Sequence, residues 1–186
     1  DIENLIKEKS QLNKQLFDEQ LFKALLYEKG KALEISIINA LQILDYKAEN
    51  YDDGIDEFDQ IIISPEGHRF IGEAEGKDSS AVNIDKFRQL ESNIQQDFSK
   101  EEIINPAIGI LFGNGYRLTP PEARQTQFTE KCLINAKRLN VILIQTMDLF
   151  EVVKYLKSKN DDSFKIKCRE AIINSKGDIV VFPKPN

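Results

Sequence analysis

Two apolar runs set the strongest limit on how this chain can fold. Residues 107–113 read AIGILFG and residues 141–146 read VILIQT, and neither alternates polar with apolar. A strand of that kind is buried on both faces, which requires a sheet with helices packed over either side. Ahead of these runs, FDQIIIS (58–64) and HRFIGEAE (68–75) flank Pro65-Glu66-Gly67, a favourable turn triplet, and read as a hairpin. Strands alternating with helices, some of them apolar throughout, place the chain in the α/β class.

The rest of the chain punctuates this core. The first 45 or so residues read as helix, with Ile2, Leu5, Leu12 and Leu16 at near-heptad intervals in a charged background. That segment, residues 1–24, reads as a helical lead-in or linker from an upstream region, and residues 25–186 as one folded domain. Gly30 marks a break, after which KALEISIINALQIL places Leu33, Ile37, Leu41 and Leu44 on one helical face. A short strand is expected at Tyr46 to Glu49, then an acidic turn, ENYDDGIDE. A helix is expected over 83–98. Pro120 and Pro121 are expected to open the next helix, which runs to about Leu139. Helices near 148–158 and 162–174 follow, and DIVVF (178–182) reads as a last strand.

Composition removes several function classes. The net charge of −6 argues against a protein that simply coats nucleic acid, though not against an enzyme that gathers a few basic residues at one site. The single histidine, His68, follows the hairpin turn and leaves no set for His/Cys zinc ligation or a histidine base. No phosphate-binding glycine motif is present. Two cysteines, Cys132 and Cys168, make no disulfide framework and point to reduced thiols in a cytoplasmic protein. No apolar run is long enough to span a bilayer, so no membrane partner is expected.

The chemistry gathers on the hairpin. Pairing its strands about residues 64–67 sets Asp59 opposite Glu73, and period-two alternation gives one face to Glu57, Asp59, Glu73 and Glu75. Phe58, Ile62, Phe70 and Ala74 fall on the other, core face. Carboxylates this close repel one another. Either they lie on a solvated edge, or they bind a hard divalent cation such as Mg²⁺, whose oxygen ligands include carboxylates, waters and phosphates. The second reading suits phosphodiester chemistry.

The ordered set Glu34, Asp59, Glu73-x-Glu75-Gly76-Lys77 and Gln89, followed by ILFGNGYR, resembles the PD-(D/E)xK nuclease superfamily over about residues 25–150. The resemblance implies a restriction-endonuclease-like three-layer core, a mixed central sheet flanked by helices, with an N-terminal helical extension. It implies Asp59 and Glu73 as acidic metal ligands and Glu34 as a further one, with Mg²⁺ or Mn²⁺ as cofactor. Glu75 stands where the motif carries lysine, an E-x-E variant in which Glu75 holds metal or Lys77 supplies the cation. Catalytic roles fall to Asp59, Glu73, Glu75, Lys77 and Gln89. Lys86, Arg88, Arg117 and Arg124 are candidate contacts to DNA phosphates, with local loop bracing the alternative for Arg124. The implied function is a metal-dependent DNA endonuclease, the effector module of a larger bacterial protein. The alternative is a catalytically silent relative that binds nucleic acid or acts as a scaffold. Expected partners are DNA and an upstream domain of the same polypeptide, with a homodimer left open.

Overall fold

A computed structural model describes residues 1–185. Five strands form one sheet in the order β1-β2-β3-β4-β5. They are β1 (Lys47–Asp52), β2 (Glu57–Ile63), β3 (Arg69–Gly76), β4 (Ile108–Asn114) and β5 (Ile142–Gln145). The first three are antiparallel neighbours, and β3, β4 and β5 run parallel. This is the mixed, three-layer α/β core that the sequence led us to expect.

Helices α1 (Ile2–Tyr27), α2 (Gly30–Ile43), α5 (Thr146–Ser158) and α6 (Asp162–Asn174) supply one apolar layer. Leu33, Ile37, Leu41 and Leu44 are all buried there against Ile62, Phe70 and Phe112. Helices α3 (Asp85–Phe98) and α4 (Glu130–Leu139) cover the opposite face, through Phe87, Leu90, Cys132 and Ala136. Both cysteines are free and buried. None of the helices among the described residues is long and apolar enough to cross a membrane.

Four local expectations need correction. Strand β1 extends to Asp52 rather than ending near Glu49. Phe58 belongs to the α3–α4 layer, not to that of Ile62, Phe70 and Ala74. Its strand slips register against β1 between Glu49 and Tyr51, and the Phe58 ring then stacks on Tyr51 with centroids 5.3 Å apart. A slip of one residue turns a side chain to the other face. Pro121 opens only a short 3₁₀ turn; α4 starts at Glu130, where the Thr129 hydroxyl accepts from the Cys132 amide. In between, the chain bridges Val82 to Phe128, whose ring fills the space left by Gly113. The segment 178–182 makes a single parallel bridge, Ile179 to Leu143, rather than a strand.

The C-terminus of α1 is bound unusually firmly. A helix leaves its last carbonyls without intrahelical donors. Here Thr146 donates to the Leu25 carbonyl, Arg124 to Leu26, Arg117 to Tyr27 and Asn114 to Glu28. The bend after α1 lies directly over the end of β3, where a β-carbon on Gly76 would stand 2.5 Å from Lys29 Cβ and 2.9 Å from the Glu28 carbonyl oxygen. Glycine is therefore required there by the helix junction. Farther back, α1 departs from the body: Phe22, Ala24, Leu25 and Leu26 are buried, whereas Ile2, Leu5, Leu12, Leu16 and Phe17 are exposed. The division drawn between residues 24 and 25 falls inside this one helix.

Candidate active site

Glu73 lies on the central strand of the sheet, and its side chain is fully buried under α3. A solvated edge is thereby excluded for this residue. The β2–β3 ladder stops at Gln60–Gly72, one pair short of Asp59 and Glu73. Beyond that point Asp59 uses its carboxylate in place of a ladder bond, accepting from the Ala74 amide at 2.9 Å. Asp59 then lies close enough for its charge to act on the Glu73 carboxyl.

Helix α3 completes the surroundings. Lys86 and Asn93, seven residues apart, lie on one helical face and reach the same carboxylate. Asn93, itself buried, donates from Nδ2 to Glu73 Oε1 at 2.5 Å. Lys86 Nζ stands 3.3 Å from Glu73 Oε2 and 3.0 Å from Gln89 Oε1. Burial, and then the charge of Asp59, push the Glu73 carboxyl from its ordinary value of 4.5 up to about 8, with Lys86 pulling the other way. For Lys86, burial opposes the charged form, but Glu73 and Asp59 outweigh it and raise the ammonium above its ordinary value.

The remaining candidates are distributed around this pair. Glu75 is half-buried at the end of β3 and holds Lys77 at 3.0 Å, so the two rivals for the motif position form one ion pair. Glu34 sits on α2 and pairs with Lys31 at 3.2 Å. Glu57 is exposed at the start of β2. Arg88 and Gln89 are exposed on α3. Arg117 donates to Asp78 at 2.7 Å as well as to Tyr27. Arg124 donates to the carbonyls of Thr119, Arg117 and Leu26 and to Asn114 Oδ1, which is the bracing role.

Among the described residues, no three or more His, Cys, Asp or Glu side chains come together as a set that could hold a metal ion. The structure joins two of the four expected ligands, Asp59 and Glu73. Two hard carboxylates, one of them buried and charge-starved, match the donor set that Mg²⁺ takes when waters and phosphate complete its shell. The pair fits such an ion. Sequence reasoning missed Asn93 altogether and gave Lys86 a phosphate contact only. The visible signal was the spacing of Lys86, Gln89 and Asn93, which recurs on one side of a helix.

No protein-family model matches the chain, and no curated protein matches it in sequence. Among solved structures, the restriction endonuclease FokI superposes with a TM-score of 0.57 at 12% identity. The fold is restriction-endonuclease-like. The match covers 82% of this chain and 28% of that one, so the chain spans little more than a quarter of the enzyme's length. At that identity the likeness speaks for architecture. It assigns no role to individual residues.

Proposed function

We propose that this chain is a nuclease domain that hydrolyses phosphodiester bonds of DNA with the help of a divalent cation. The observation that carries the reading is the Asp59–Glu73 pair, with Glu73 fully buried and Asp59 half-buried, set by a broken ladder at the centre of a restriction-endonuclease-like sheet. A stable fold gains nothing from burying an acid beside a second carboxylate. Such a pair is the kind of costly feature that function retains.

Asp59 and Glu73 would hold Mg²⁺ or Mn²⁺, which when bound supplies a hydroxide-like water and offsets charge on the leaving oxygen. Asn93 fixes the orientation of Glu73, and the Ala74 amide fixes Asp59. Lys77, held at the strand end by Glu75, and the exposed Arg88 on α3 are the cations available to meet a phosphate. Arg117 and Arg124 shape the neighbouring loop instead of meeting the phosphates directly.

Supercoiled plasmid incubated with the domain and Mg²⁺ or Mn²⁺ tests this. Nicked or linear product that disappears with EDTA and with Asp59→Asn is expected. Intact plasmid under every metal condition, from a protein shown to be folded, would leave the fold in place and remove the activity.

A further inference from the structure

The geometry points to Lys86 as a tethered counter-ion that occupies the carboxylate pair until a divalent cation displaces it. This rests on the metal-binding reading of Asp59 and Glu73, and it concerns a residue outside the strand motif.

Three observations support it. First, the lysine of the strand is already engaged: Lys77 pairs with Glu75 at 3.0 Å, so the amine at the buried acids comes from α3. Second, the two oxygens of Glu73 are held differently. Oε1 is bound by Asn93, which is buried and neutral, while Oε2 meets the Lys86 ammonium at 3.3 Å on a flexible stem. Removing the ammonium therefore frees one oxygen without releasing the carboxylate from its orientation. Third, the amine has a second partner in place, because Gln89 Oε1 lies 3.0 Å away on the exposed side of α3. A cation coordinated at Oε2 and an ammonium at salt-bridge range of the same atom repel strongly in a buried setting. Binding one expels the other, and Lys86 keeps Gln89 as it swings outward.

Two ligands that exclude each other are linked reciprocally, so losing the tethered one tightens the free one. The test is calorimetric titration of Mn²⁺ alone into wild type, Lys86→Met and Lys86→Gln, with melting temperatures recorded without metal. Expected is Mn²⁺ binding on the order of tenfold tighter in both variants, together with a lower metal-free melting temperature. Binding seen only in the variants also supports the counter-ion. Unchanged or weaker binding in a folded variant overturns it while leaving the metal reading intact. No binding in any of the three proteins overturns both. Asp59→Asn is the control: if it binds Mn²⁺ as wild type does, the ion sits elsewhere and the inference fails.

Discussion

Replacing Glu73 by glutamine should stabilise the metal-free protein, and the gain should grow with pH. The carboxyl binds its proton more tightly in the folded chain, at about 8, than at its ordinary 4.5. Stability from this group is therefore full below pH 4.5 and is lost as pH rises through 8. Each tenfold difference in proton affinity is worth about 1.4 kcal/mol, so at pH 7 the ionisation penalty reaches up to about 3 kcal/mol. Glutamine has the same shape, can still accept from Asn93 and can donate to Asp59, and it never ionises. Part of the gain is returned because Lys86 loses a charged partner 3.3 Å away. A net gain of about 2 kcal/mol at pH 7 corresponds to roughly 4–8 °C in Tm for a domain of this size. Thermal melts from pH 5 to pH 8.5 in EDTA would measure it, with the two proteins converging at the acid end. A glutamine variant less stable than wild type by the same amount at every pH would refute the reasoning. It would mean that ionising Glu73 in the folded chain costs no more than its partners repay.

Mn²⁺ should raise the melting temperature of wild type and leave the double variant Asp59→Asn/Glu73→Gln unmoved, since a ligand that binds only the native state stabilises it. Gly76→Ala should cost about 1–3 kcal/mol in chemical denaturation, because its β-carbon would meet main-chain atoms of Glu28 and Lys29 at 2.9 Å that have no room to retreat. Gln60→Met should stabilise by about 1–2 kcal/mol, since both amide atoms of this fully buried side chain lack partners, and a drop in stability would reveal a hidden bond. Arg124→Met should lower stability by on the order of 2 kcal/mol through its abandoned carbonyls, with little change in the salt dependence of DNA binding. A markedly flatter salt dependence would instead make Arg124 a phosphate contact.

What could be read from the sequence was whatever depended on short range. The runs at 107–113 and 141–146 declare a sheet covered on both sides, and the turn at Gly67 fixes the hairpin, which puts Asp59 across from Glu73 by counting alone. Phe58 defeated the same counting, because its own strand fits three steps, Phe58 to Ile61, against two on β1, Glu49 to Tyr51. Pro120-Pro121 looks like a helix start, but the chain there must first pass beneath β4 to seat Phe128. Arg117 looked like a free cation because one of its partners is a carbonyl 90 residues earlier, whereas the local bracing open to Arg124 is joined by a carbonyl 98 residues earlier. Lys86 and Asn93 could be set on one helical face, but only the packing of α3 over β3 shows which carboxylate that face meets.

A helix clamped at one end is a cantilever. The 16 exposed residues from Ile2 to Phe17 make an arm about 24 Å long at 1.5 Å per residue. The inner end of the helix is pinned by Asn114, Arg117, Arg124 and Thr146. The loop that supplies two of those pins is stitched to the end of β3: Lys77 donates to the Asn114 carbonyl at 3.0 Å, and the Arg117 amide donates to the Lys77 carbonyl at 2.9 Å. A small sideways load on the outer arm therefore arrives as torque on the peptide groups that flank Lys77. The exposed arm from Ile2 to Phe17 and the strand end at Lys77 are thus joined through one hydrogen-bonded junction.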